Sequence, residues 1–249
     1  MPFPPARRIR PATILTAALL ALTALLAAPT PTAAATGPVY EGRGWRINTA
    51  RGIHSLHPDP YTVVFADAAA RTALTPYLTK PTAQITAVTG VTFTVSTVID
   101  TTPPEQCPPR HRIVMHYTPQ PYGSPGLSQA KTCYDTSDNS AWGGHVLIDS
   151  TYWTEPNWFS TDPVKNDAYR ANGVSHELGH VAGLAHPNID KDGDGTVEAY
   201  ECVTTASGTR PLLCSPSGGY LNAVDAGKFT PPFDEPGLKQ LAANWYLRQ

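Results

Sequence analysis

Methionine is nearly absent from this 249-residue chain, which carries only Met1 and Met115. Charge is sparse as well, at 15% of residues, and neither sign dominates: 18 bases face 20 acids, a net charge of -2. Without a basic excess the chain lacks the electrostatic footprint of a nucleic-acid binder, so no nucleic-acid partner is expected. No cysteine has a second cysteine within four residues, which argues against a thiolate zinc site. There is no Gly-rich phosphate loop and no Ser/His/Asp set in an elbow context. What remains is 41% hydrophobic, too apolar for a disordered chain, and long enough for one core with a smaller lobe. With 26 prolines and 19 glycines, loops should be many and helices few.

The amino end reads as an address. Arg7, Arg8 and Arg10 precede an apolar run from Ile14 to Ala28, followed by the small residues Ala33-Ala34-Ala35. A membrane anchor needs roughly 20 apolar residues, and this run is shorter. The pattern is that of a secretory signal over 1–35, cut after Ala35, leaving a secreted, extracellular protein with no stable membrane anchor. Cutting there removes three arginines and no acid, so 15 bases face 20 acids and the net charge becomes -5. In an exported chain Cys107, Cys133, Cys202 and Cys214 are expected to form disulfides. Three pairings are open. Cys107–Cys133 with Cys202–Cys214 is preferred, because each closes a modest loop within one half of the chain.

Residues 36–60 are polar and glycine-containing, an amino-terminal arm with room for one strand. The main domain is expected over 61–249, with an upper lobe 61–183 and a lower lobe 184–249. Tyr61–Phe65 is β-branched and aromatic, a predicted strand. A helix is predicted from Ala68, restarting at Pro76 and Pro81 and ending at Gly90. Residues 91–99 and 112–118 read as strands, which makes an α/β opening. Residues 119–144 are rich in Gly, Pro and Ser, a long loop of the kind kept for function. His145-Val146-Leu147-Ile148 then reads as a candidate edge strand. Gly143 and Gly144 before it suit either close approach or a plain turn. Asp162-Pro163 marks a helix start, by a side-chain cap and then proline at the first helical position. Val164, Ala168, Ala171, Val174, Leu178 and Val181 follow at helical spacing. After a loop-rich stretch, Leu238, Leu241, Ala242, Trp245 and Tyr246 predict a final amphipathic helix.

The chemistry is concentrated in His176-Glu177-Leu178-Gly179-His180-Val181-Ala182-Gly183-Leu184-Ala185-His186. His176 and His180, four apart, share one helix face. That arrangement suits two nitrogens on one zinc ion at about 2.0–2.1 Å. Glu177 points about 100° around the helix (3.6 residues per turn), poorly placed as a ligand but able to reach a water at the metal. Gly183 lets the chain leave the helix at positive φ, so that His186 can return as third ligand. Three imidazoles leave zinc a position for water, as in catalytic sites.

This eleven-residue run resembles the signature of the metzincin clan of zinc endopeptidases, and the segment 211–220 resembles the corresponding segment of small secreted bacterial members. The resemblance implies an α/β catalytic domain with a twisted mixed sheet, a long active-site helix and a small loop-rich carboxy-terminal lobe ending in a helix. It implies a zinc-dependent endopeptidase in which zinc and Glu177 together activate a water against the peptide bond. The substrate would be an extended polypeptide lying antiparallel to an edge strand, for which His145, Val146, Leu147 and Ile148 are the candidates. A turn beneath the zinc would fall at 211–220, including Leu213, Ser215 and Pro216. Leu213 stands where the clan has methionine, a departure that keeps nearly the same volume and loses the soft sulfur. Two alternatives accompany this reading: an exported zinc-containing binding protein without proteolytic activity, and a specialised cell-wall peptide hydrolase. A monomer is expected.

A second pattern runs from Asp190 to Glu201. Asp190, Asp192 and Asp194 take positions 1, 3 and 5 of a twelve-residue calcium loop, Gly195 the tight turn, Thr196 a carbonyl ligand and Glu201 position 12. The alternative is a solvated acidic turn. A calcium ion there would be structural, fixing the chain just after His186. His54, His57, His111 and His116 read as surface or strand residues rather than ligands. Trp142, Trp153 and Trp158 read as packing residues, with the cleft mouth as the alternative; Tyr220 also reads as packing, its alternative being the transition-state role of the tyrosine that some members of the clan place beside the zinc.

Overall fold

The computed structural model describes residues 37–216, 219 and 221–247. The expected signal segment 1–35 and Tyr220 lie outside the described residues. The chain is mixed α/β, built on a mostly parallel sheet. Its elements are β1 (Glu41–Gly42), β2 (Trp45–Ile47), β3 (Ser55–Leu56), β4 (Tyr61–Phe65), α1 (Ala68–Leu74), α2 (Thr79–Thr89) and β5 (Phe93–Ile99). There follow β6 (Arg112–Thr118), β7 (Gln129–Asp135), β8 (Ser140–Asp149), α3 (Thr151–Thr154), α4 (Pro163–Ala182), β9 (Leu184–Ala185) and α5 (Asp234–Leu247). No helix among the described residues is long and apolar enough to cross a membrane.

Local chemistry sets several boundaries. Asp67 caps α1 by accepting from Ala70 N at 2.7 Å, a 3₁₀ turn at Thr75–Tyr77 carries Pro76, and α2 ends at Gly90 with φ 75°. The long helix α4 starts as its sequence demands, with Asp162 accepting from Val164 N and Lys165 N and Pro163 in the first turn. Its buried stripe, including Ala168, Val174, Leu178 and Val181, packs with β7 and β8.

In the six-stranded sheet, β3, β8, β6, β4 and β5 are neighbours in that order and all parallel, while β7 pairs antiparallel with β8. Two expectations fail here. The stretch 119–144 contains β7 and the first half of β8. And β8 is an interior strand, all ten of its residues buried, so His145, Val146, Leu147 and Ile148 do not form an edge. The unbroken apolar run Val146-Leu147-Ile148 has no alternation because both its faces are covered. The edge strand on that side is β7. Gly143 and Gly144, at φ 146° and 135°, lie within β8 itself; a Cβ on either would strike a backbone carbonyl, that of Arg112 or Lys131.

The amino-terminal arm is more ordered than its polar composition suggests. Its β1 and β2 make a small sheet with β9, pairing Ile47 with Leu184 and Arg46 with Ala185. Asn48 N donates to Gly183 O at 2.9 Å. The arm therefore fixes the chain where it leaves α4. Both disulfides pair as preferred, Cys107–Cys133 and Cys202–Cys214. The first ties the edge strand β7 to the loop before β6.

Candidate metal centre and cleft

α4 presents His176 and His180 one turn apart, and Gly183 at φ 122° turns the chain into β9, which delivers His186. The three Nε2 atoms form a nearly equilateral triangle with edges of 3.0, 3.0 and 3.1 Å. Tetrahedral ligands about 2.0–2.1 Å from a zinc ion would stand roughly 3.3 Å apart, close to these edges.

The other side of each helix imidazole is spoken for. His176 Nδ1 donates to Leu212 O at 2.8 Å, and His180 Nδ1 donates to Leu184 O at 2.8 Å. Because a carbonyl only accepts, both rings carry their proton on Nδ1 and turn a bare Nε2 into the triangle. At most one proton, on His186, is left among three facing nitrogens, so mutual hydrogen bonds do not satisfy the group. Burial holds His176 at about 4 and His180 well below its ordinary value, with the neighbouring imidazoles adding to each, and burial lowers His186 too. Three neutral imidazoles converging on one point are a group that can hold a metal ion.

Glu177 lies on the same helix, buried beside this group, and lines the cleft with all three histidines. Burial pushes its carboxyl up to about 8. A cation at the triangle is the counter-charge that its ionised form needs.

Beneath the helix runs the turn 211–216. Leu213 is buried against Gly179; a Cβ there would come within 2.9 Å of Leu213 Cδ2 and 3.0 Å of Phe229 Cε1. Ser215 and Pro216, joined by a cis peptide bond, line the cleft. The buried carboxylate of Asp234, which the sequence did not single out, accepts from Leu212 N at 2.7 Å and Leu213 N at 3.2 Å. It also accepts from Thr230 N and Thr230 Oγ1.

The cleft encloses about 860 Å³. One flank is the edge strand β7, with Gln129, Ala130 and Thr132 on the lining; Thr132 Oγ1 donates to His180 O at 2.9 Å. Beyond Glu177 the wall is aromatic, with Tyr122, Tyr152, Trp158, Phe159 and Tyr169. Trp158 is thus a cleft residue, whereas Trp142 sits in β8 and Trp153 in α3. Asp149 builds this wall by accepting from Gln120 N, Gly126 N, Thr151 N and Thr151 Oγ1.

His145 is occupied elsewhere. Its Nε2 donates to Gln106 O at 2.7 Å, leaving Nδ1 to accept from His116 Nε2 at 2.9 Å. It braces β8 and β6 to the disulfide loop, and the substrate-facing role expected of residues 145–148 does not fit their burial.

The acidic loop brings the carboxylates of Asp190, Asp192 and Asp194 within 4.8 Å of one another, all exposed. Gly195 takes the turn at φ 90°, its N–H donating to Asp190 Oδ2. Thr196 N donates to Asp194 Oδ1. Glu201 folds back, accepting from Lys191 N and Glu198 N, and is not in the three-carboxylate group. Behind this loop, Asn188 bridges Glu198 O to Ser215, so the loop is linked to the turn beneath the imidazoles.

No protein-family model matches the chain, and no curated protein matches it. Among solved structures it is similar to one titled "GM1 bound form of the ECX AB5 holotoxin", at 12% identity over 82% of this chain and 87% of that chain. The TM-score is 0.37, and at that value the likeness assigns neither fold nor function.

Proposed function

We propose that the protein is a secreted zinc-dependent endopeptidase of metzincin type, acting on polypeptide held in extended form. The observation that carries this reading is the triangle of bare imidazole nitrogens with Glu177 buried beside it at the base of an open cleft. His176, His180 and His186 would hold zinc, and zinc when bound lowers the pKa of water and polarises a scissile carbonyl. Glu177 takes a proton from the attacking water and passes it to the leaving nitrogen. A structural metal site has no use for such a buried carboxylate.

Other features support the same reading. The edge strand β7 offers backbone groups along the cleft, the usual means of pairing with extended chain. Leu213 supplies an apolar floor under the helix, filling the place of the clan methionine with similar volume. Two disulfides suit an exported protein. In the same reading the Asp190–Glu201 loop takes calcium as a structural ion, with Glu201 swinging in as the final ligand.

The test is hydrolysis of an unfolded, fluorescently labelled protein by the purified chain. Cleavage that a chelator abolishes and zinc restores is the expected result. No cleavage by the zinc-loaded chain, with zinc confirmed at His176, His180 and His186, would overturn general proteolysis.

A further inference from the structure

A second convergence of metal-ligating groups lies outside the cleft. His57 and Asp59 sit on the link between β3 and β4, and His111 immediately precedes β6. One ligand atom from each lies within 4.8 Å of the others, and none of the three residues lines the cleft. Asp59 Oδ2 is 3.8 Å from His57 Nδ1 and 3.5 Å from His111 Nε2. Both separations exceed the 2.7–3.2 Å range of a good N–H···O bond. They are near the roughly 3.3 Å that separates neighbouring ligands on a tetrahedral divalent ion. His57 Nδ1 accepts a long bond from Asp59 N at 3.3 Å, which an ion there would displace.

The three side chains are held there by their surroundings. Pro58 and Pro60 flank Asp59 and stiffen the link. His57 N donates to Ala141 O, and the His57 ring meets Trp245 edge-on with centroids 4.5 Å apart. His111 N donates to Trp142 O while its own carbonyl accepts from Thr62 N, and Tyr61 packs edge-on against its ring at 5.4 Å. His111 adopts φ 63°, a left-handed conformation that costs a non-glycine residue free energy. Its Nδ1 is buried with no hydrogen-bond partner. His57 Nδ1 and His111 Nε2 both face the same Asp59 oxygen across gaps too wide for a good hydrogen bond, an arrangement with room for a cation among the three groups.

We infer that His57, Asp59 and His111 form a second site for a divalent transition-metal ion, separate from the His176 triangle. Two imidazoles and one carboxylate suit zinc and its neighbours in the first row, and disfavour calcium and magnesium. Asp59 is exposed, which leaves the ion a side open to water or to a further ligand. The ion would tie the β3–β4 link to the start of β6.

The test is equilibrium dialysis of the untagged protein against micromolar free zinc, with excess calcium to occupy the acidic loop. Asp59→Asn keeps shape and loses charge; His111→Asn keeps a residue that tolerates the left-handed conformation. Circular dichroism would verify that both fold. The expected result is two zinc ions per chain in wild type, one in each of these variants, and one in His176→Ala. A single zinc lost only in His176→Ala would overturn the inference, as would a second zinc that survives both Asp59→Asn and His111→Asn. A single zinc lost in Asp59→Asn but kept in His176→Ala would uphold this site and count against the triangle, so the two readings fail separately.

Discussion

Asp234 and His176 hold opposite sides of one residue. The Asp234 carboxylate accepts from Leu212 N at 2.7 Å, and Leu212 O accepts from His176 Nδ1 at 2.8 Å. A buried acid at the start of α5 thereby sets the proton and the orientation of an imidazole on α4, through the backbone of the turn between them. Asp234 reaches that ring only through Leu212, its own partners being Leu212, Leu213 and Thr230.

Removal of this anchor has a defined consequence. Asp234→Ala leaves the buried N–H groups of Leu212, Leu213 and Thr230 without their acceptor, and is expected to cost about 3–5 kcal/mol of stability. With Leu212 no longer anchored, its carbonyl holds the His176 ring less firmly, and zinc affinity should fall, by at most about the 10–100-fold of losing a ligand's direct hydrogen-bond partner. Denaturant unfolding and competition with a chromophoric chelator read the two effects. Unchanged zinc affinity in a folded Asp234→Ala chain would show that the link through Leu212 does not position the ring.

The floor beneath the helix invites a graded series. Leu213→Met nearly conserves volume, and should lose less than about 1.5 kcal/mol and keep zinc. Leu213→Ala opens a cavity against Gly179 and Phe229 and should lose about 2–5 kcal/mol. Gly179→Ala tests the same contact from the other side. Overpacking of about 1–3 kcal/mol is set against a helix-propensity gain of about 1 kcal/mol, so a small net loss is expected. Thermal unfolding checks all three, and a Leu213→Ala chain as stable as Leu213→Met would contradict the packing account.

Acid should loosen the aromatic wall of the cleft. Burial by itself would raise the pKa of Asp149, but hydrogen bonds from Thr151, Gln120 and Gly126 outweigh it and hold the carboxyl below its ordinary value. A carboxyl with a depressed folded-state pKa contributes stability that is present above its unfolded value of about 3.9 and lost as pH falls through the folded one. Stability measured by denaturant titration should therefore drop more between pH 5 and pH 3 in wild type than in Asp149→Asn. At neutral pH the variant has fewer acceptors for the 120–126 loop, and under the proposed peptidase activity a raised KM with a smaller change in kcat is expected. Equal pH dependence in the two chains would contradict this role for Asp149.

The convergence of His176, His180 and His186 was more legible in the sequence than its surroundings. α4 was legible from the Asp162 cap, Pro163 and Gly183 at the exit, and from a stripe buried at Ala168, Val174, Leu178 and Val181 although Val164 at its head is exposed. The α1–α2 break was legible from its prolines. β7 was hidden because Gln129–Asp135 is half-buried and has no apolar alternation; it is a strand by virtue of its ladder to β8 and the Cys107–Cys133 bridge. That omission made β8 look like an edge. The Asp234 clasp and the His57–Asp59–His111 group join residues far apart in the chain, and spacing carries no signal for either. The arm's pairing with β9 through Ile47 and Leu184 was likewise a tertiary fact, invisible in a polar segment.

In the proposed function the His176–His180–His186 triangle is a catalytic metal site with Glu177 as its base. The most direct measurement is the turnover of a fluorogenic peptide by zinc-loaded wild type and by Glu177→Gln, compared at matched zinc content. Equal zinc is expected, with a rate lower by about 10²–10⁴-fold in the variant. Equal zinc with equal rates would contradict it.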